Sequence, residues 1–132
     1  MTINVQRDLS QPMHHDIHVR EHLIGADGSV EEGGTDSGPS PHDLYDAALG
    51  ACKALTLVWY AKRKNIPLED LRVEVERDAG EERHGIYRLH TVLHLGGALS
   101  DAQRMELLAA AAKCPVHKLM TSVQTEITTT LG

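Results

Sequence analysis

The sequence predicts an α+β fold, and three observations carry the prediction. Short segments with a period of two stand at the N-terminal end and again in the middle of the chain. One long segment of helical period separates them. Shorter helical segments then precede a final alternating run. The 132 residues suit one domain spanning 1–132, whose core needs no metal or disulfide staple.

The elements follow in order. Thr2–Arg7 alternates, with Ile3 and Val5 on one face, and reads as a strand. Ser10–Gln11–Pro12 is a turn signal. Ile17–Ile24 reads as one further strand, with Ile17, Val19 and Leu23 on one side and His18, Arg20 and His22 on the other. The run from Gly33 to Pro39 is a loop by composition. A long helix then opens with Ser40 as N-cap, Pro41 at the first helical position and Asp43 in a capping-box position. Leu44, Ala47, Ala48, Ala51, Cys52, Leu55 and Trp59 recur at helical spacing, and the small, apolar stretch Ala47–Ala51 is expected to be buried all round. Lys62, Arg63 and Lys64 complement the negative end of the helix dipole, and Asn65 followed by Pro67 ends the helix. Its length is roughly 36 Å, which suits a central helix shared with a partner chain. Leu71–Arg77 and Ile86–Leu95 read as strands joined by a polar hairpin around Gly80. Ser100 and Gln103 form a second capping box, opening a helix that runs to about Lys113. Cys114 and Pro115 then stand as N-cap and first residue of a shorter helix, and Val123–Thr129 is the expected last strand.

Composition removes several classes of function. The 41% hydrophobic and 24% charged fractions are those of a globular protein, which argues against disorder. A net charge of −6 disfavours nucleic acid and anionic membrane as partners. No apolar run has the length of a transmembrane helix, and the first residues lack the apolar core of a signal peptide. The chain therefore reads as cytoplasmic, where thiols stay reduced unless chemistry oxidises them transiently.

The two cysteines are the residues on which chemistry is most readily placed. Cys52 lies mid-helix in ALGACKALT, two residues after Gly50. A mid-helix glycine costs roughly 1 kcal/mol relative to alanine, so another group is expected to approach the backbone there. A buried packing cysteine explains Cys52 alone; a functional reading needs a second group. Cys114 is that candidate, because a thiol at a helix N-terminus faces unpaired N–H groups and the positive end of the dipole. His117 and Lys118 follow within one turn. His14, His15 and His18 do not converge as an i, i+4 helical pair would, and His90 and His94 lie roughly 13 Å apart along a strand, so no metal site is expected. The Gly33–Gly38 loop has the glycines of a phosphate cradle but carries Asp36 and lacks a Lys-Ser/Thr ending. No cofactor is expected.

Two longer runs resemble the OsmC/Ohr family, in its OsmC-like branch. GGTDSGPSPHDLYDAALGACKALTLVWYAKRKNIPLEDLRVEVERD is similar to the family's loop, long helix and small-small-Cys segment. LSDAQRMELLAAAAKCPVHKLMTSVQTEI matches its second hallmark, a C-P-V-H-like segment before the last strand. The resemblance covers Gly33 to the C-terminus. It implies an OsmC-like fold with antiparallel sheets packed around a long central helix, in an intertwined homodimer with active sites at the interface. It implies a thiol peroxidase that reduces organic hydroperoxides in oxidative-stress defence, with Cys52 attacking and Cys114 resolving the sulfenic acid as a disulfide. A dithiol reductant such as a lipoylated protein would restore the thiols. Peroxidase members of the family carry a Glu directly after the proline that opens the long helix, and it orients an Arg over the thiolate. Here His42 takes that place, and Asp43, shorter and one position displaced, is the implied substitute. The arginine would be Arg20 or Arg7. The alternative is a non-catalytic protein of the same fold that binds a small apolar or thiol ligand at the dimer interface.

Overall fold

A computed structural model describes all 132 residues, Met1–Gly132. The chain forms two compact units, Met1–Asp46 and Ala47–Gly132.

The first unit is a three-stranded antiparallel sheet followed by a loop. Strands β1 (Ile3–Arg7), β2 (His15–Val19) and β3 (His22–Ala26) lie in sequence order. The expected single strand over Ile17–Ile24 is thus a hairpin. Val19 pairs with His22 across the two-residue connection Arg20–Glu21, with Arg20 in the left-handed region at φ 55°. Such connections usually advertise themselves with Asn, Asp or Gly, and this one does not. The turn also changes the faces: Leu23 pairs with His18, not with the Ile17–Val19 side.

One buried carboxylate organises the loop that follows. Asp27 accepts N–H bonds from Gly28 (2.8 Å), Thr35 (3.2 Å) and Ser37 (3.0 Å). It also accepts the hydroxyls of Thr35 (3.0 Å) and Ser37 (2.7 Å). The amide and hydroxyl of Ser37, with the Gly28 and Thr35 amides, hold its carboxyl well below the usual carboxylate range. The loop folds back so tightly that a Cβ on Gly34 would stand 2.2 Å from the Gly28 carbonyl oxygen, so glycine is required there.

Helix α1 (Pro41–Lys64) begins in the first unit and continues through the second. The expected capping box forms: the Asp43 amide donates to Ser40 Oγ (3.1 Å) and the Ser40 amide to Asp43 Oδ2 (3.0 Å). Asn65, at φ 54°, closes the helix as a left-handed residue. Strands β4 (Leu71–Asp78) and β5 (Arg88–Leu95) form an antiparallel pair from Leu71↔Leu95 to Asp78↔Arg88, and a short 3₁₀ turn at Glu82–His84 lies between them. Helix α2 (Asp101–Ala111) carries the Ser100–Gln103 capping box, and α3 (Pro115–Ser122) starts from Cys114 as N-cap. Leu57 and Ala61 of α1, Ile66, and Leu107, Ala110 and Ala111 of α2 form the core, with Leu71, Leu93 and Leu95 of the sheet packed against them. Leu57 and Leu107 are fully buried, which stabilises the fold by about 1.5–3 kcal/mol for each side chain.

Two expectations are corrected. Ala47, Ala48 and Ala51 are exposed, so that stretch of α1 is not buried all round. The inward face is instead Leu49, Gly50, Lys53, Leu57 and Ala61. Alanine suits either side of a helix, and the choice is made by Gly50: a Cβ there would stand 2.9 Å from Val75 Cγ2 of β4. The outward face is apolar too, with Leu55, Val58 and Trp59 all more than half exposed. Val123–Thr129 does not form the expected last strand; from Val123 onward the chain is exposed and without regular structure. Alternation selects a face but not a partner, and no strand of this chain pairs with the segment.

Candidate thiol site

The site is built where α1 meets the turn from α2 to α3. Pro115 can open α3 because its missing N–H is one the first helical turn leaves unpaired. Cys114 takes the N-cap with extended φ/ψ of −65° and 143°. This leaves the amides of Val116 and His117 at the positive end of α3. Val116 N–H donates to Cys52 Sγ at 3.5 Å. The α3 N-terminus therefore serves the mid-helix cysteine of α1, which the sequence had left without an activating group.

Cys114 itself is fully buried, whereas Cys52 is half-buried; both are free thiols. Burial pushes the Cys114 thiol up. The His117 amide pulls it back, a hydrogen bond to Cys52 raises it again, and the charge of Lys53 lowers it. The two cysteines are thus brought together, with opposite characters. Cys52 is accessible and backed by an amide; Cys114 is enclosed, and its charged form is disfavoured. The helix-capping position of Cys114 suggested an activated thiol, and its burial overrides that. The physical reason is that capping a helix does not offset complete loss of solvent.

Beside Cys52 lies an open groove of about 630 Å³, walled by Ala48, Ala51, Leu55 and Trp59 of α1 and by Lys113 and Pro115. Lys53, the residue after Cys52, turns inward and is only 4% exposed. Its ammonium donates to the Ala111 carbonyl at 2.8 Å and lies 3.0 Å from His117 Nδ1. Neither Lys53 nor the Val116 amide was found from the sequence. A signal for Lys53 was present: it is the one charged residue between Asp46 and Lys62.

The remaining candidates lie in the first unit. Arg20 is exposed at the β2–β3 turn, and Arg7 is exposed at the end of β1. Asp43 spends one carboxylate oxygen on the Ser40 amide. His14 bridges Ser37 Oγ (2.7 Å) and Asp16 Oδ1 (3.2 Å), which looks like a hydrolytic triad. The Ser37 hydroxyl, however, donates to Asp27, so its proton is committed and it is no nucleophile. No cluster of three or more His, Cys, Asp or Glu side chains is arranged to hold a metal ion.

The family model described as OsmC-like protein matches residues 34–130. The chain belongs to the OsmC-like family. Solved structures agree on the OsmC-like fold. A Psychrobacter arcticus protein named for osmotic stress induction and detoxification response is 20% identical, with TM-score 0.77, over 92% of this chain and 89% of its own. The organic hydroperoxide resistance protein OsmC of Legionella pneumophila is 23% identical, with TM-score 0.63, over 92% and 90%. The organic hydroperoxide resistance protein OhrB of Bacillus subtilis is 21% identical, with TM-score 0.61, over 92% of each chain. No curated protein matches this OsmC-like sequence. None of its helices is long and apolar enough to cross a membrane.

Proposed function

We propose that this OsmC-like protein is a thiol-dependent peroxidase that reduces organic hydroperoxides through Cys52 and Cys114. One observation carries the reading: the half-buried Cys52 sulfur accepts the Val116 amide, beside the Cys114 thiol and at the edge of an apolar groove. The thiolate of Cys52 attacks the outer peroxide oxygen, and the O–O bond breaks. The thiol proton and the hydroperoxide proton end on the departing alcohol and on the sulfenic acid left at Cys52. Cys114 then attacks the Cys52 sulfur. The S–S bond forms as the S–OH bond breaks, and hydroxide leaves as water with the Cys114 proton. A dithiol reductant, such as a lipoylated protein, reduces the disulfide and restores both thiols. The groove favours an organic over an inorganic peroxide, because burying a hydrocarbon tail gains about 25 cal/mol per Å². The stabilising cation for the alkoxide is proposed to be Arg20 or Arg7, with Asp43 as its orienting acid.

The working form is proposed to be an intertwined homodimer. The exposed apolar face of α1 and the unpaired alternating segment Val123–Thr129 are surfaces that a second copy would cover. In this reading the groove beside Cys52 closes when the dimer forms.

The test is turnover. Purified protein, supplied with dithiol reductant and cumene hydroperoxide, is expected to yield cumyl alcohol at a rate set by enzyme concentration. Absence of enzyme-dependent alcohol would contradict the proposal. The rival reading, a binding protein for a small apolar or thiol ligand, is supported by the enclosed, charge-averse Cys114. It predicts an inert Cys52 in thiol titration.

A further inference from the structure

Lys53 is a buried cation that the two-cysteine scheme does not use. Lysine is almost never enclosed unless paired, because the ammonium loses its hydration. It stands on the face of α1 that carries Leu49, Leu57 and Ala61 into the interior, where an apolar side chain would pack at lower cost. Its two acceptors are the Ala111 carbonyl, in the last turn of α2, and the ring nitrogen Nδ1 of His117. Neither carries a full charge, so the ammonium charge is left to act on Cys114, whose own amide donates to the same Ala111 carbonyl at 3.4 Å. An ammonium has only donors, so His117 Nδ1 must be the acceptor, and the ring proton belongs on Nε2. The titratable side chains acting on Cys114 are Cys52 and Lys53 from α1; His117 reaches it through its backbone amide, and its ring meets Lys53.

We propose that Lys53 is a positioning residue of the thiol site: locked between Ala111 and His117, it fixes His117 as the Nε2–H tautomer and stabilises negative charge on the Cys114 sulfur as that sulfur closes the disulfide. This rests on the peroxidase reading for its place in the reaction, but the electrostatic part stands without peroxide. The step it assists is the second one, in which the Cys114 thiol yields its proton to the departing hydroxide as the S–S bond forms.

Three measurements test it. In a Cys52→Ser background, thiolate absorbance reports the titration of Cys114 alone. Lys53→Met is expected to move that midpoint up by roughly one pH unit, the low end of what a neighbouring opposite charge supplies, and Lys53→Arg to restore most of it. With both cysteines present, Lys53→Met should slow disulfide closure about tenfold and change sulfenic-acid formation on Cys52 less. An unchanged Cys114 midpoint would overturn the proposal. Nitrogen-15 NMR of His117 in the unsubstituted protein decides the matter if Lys53→Met fails to fold: the Nε2–H tautomer is expected, and the Nδ1–H tautomer would overturn it. A protein that fails to react with hydroperoxide yet shows the Cys114 shift would sink the peroxidase reading and leave this one standing.

Discussion

The backbone N–H of Val116 donates to the sulfur of Cys52 across 3.5 Å, joining positions 64 residues apart. A single N–H···S contact is weak, but it comes from the first turn of α3, where unpaired amides and the helix dipole favour negative charge. Cys52 therefore gains its support from the residues that follow Cys114, and the second cysteine motif serves the first.

Cys52 is the proposed attacking sulfur. Cys52→Ser is expected to abolish peroxide consumption. Cys114→Ser should permit one sulfenic-acid event per chain without sustained turnover. Dimedone-type labelling after one equivalent of organic hydroperoxide checks it. Label on Cys114 in Cys52→Ser, with none on Cys52 in Cys114→Ser, would invert the roles.

Gly50 sets the seat of α1 on β4. Gly50→Val places branched carbons where Val75 Cγ2 already stands 2.9 Å from the position of a Cβ. Overpacking of this kind costs about 1–3 kcal/mol, more than the few tenths of a kcal/mol, roughly, that helix propensity gains on replacing glycine by β-branched valine. Urea unfolding should show the midpoint falling; an unchanged or higher midpoint would mean that β4 yields without cost.

Asp27 makes the first unit acid-sensitive. Its folded pKa lies below that of the unfolded chain, so the stability it contributes is present above the ordinary carboxylate range and is lost as pH falls through that range and below. The unsubstituted protein should lose urea resistance between about pH 5 and pH 2. Asp27→Asn should be less stable at pH 7 and lose less over that interval. Equal losses in the two proteins would show that other carboxylates govern the acid response.

The outward face of α1 bears on assembly. Trp59 is 60% exposed and Leu55 71% exposed, large apolar side chains on one side of a helix. Light scattering at micromolar concentration should give twice the 14.5 kDa chain mass, and Leu55→Glu with Trp59→Glu should return the protein to one chain. A folded monomer of the unsubstituted protein would remove the proposed dimer.

Most of the element order was legible because its signals are local. Both capping boxes, the Asn65 terminator and the Cys114–Pro115 start depend on residues within one turn of each other. The errors came where the deciding partner is distant or carries no signal. Arg20–Glu21 turns the chain without a turn residue, so one strand was read where two exist. Ala47–Ala51 is compatible with either side of α1, and only Val75 of β4, against Gly50, selects the inward one. The Val123–Thr129 alternation finds no strand within this chain. At the site, the two cysteines were visible by type and helical position. The Val116 amide was not, since a backbone donor has no sequence signature. Lys53 showed itself only as an isolated charge on an apolar helix.

Cys52 and Cys114 are proposed to act as one two-electron unit. Anaerobically reduced protein, mixed with one equivalent of cumene hydroperoxide and then quenched, should lose both thiols of the chain together. Peptide mapping should recover a Cys52–Cys114 disulfide within one chain. Two thiols still titratable per chain, at the end of a reaction long enough to exhaust a control peroxidase's substrate, would contradict the account.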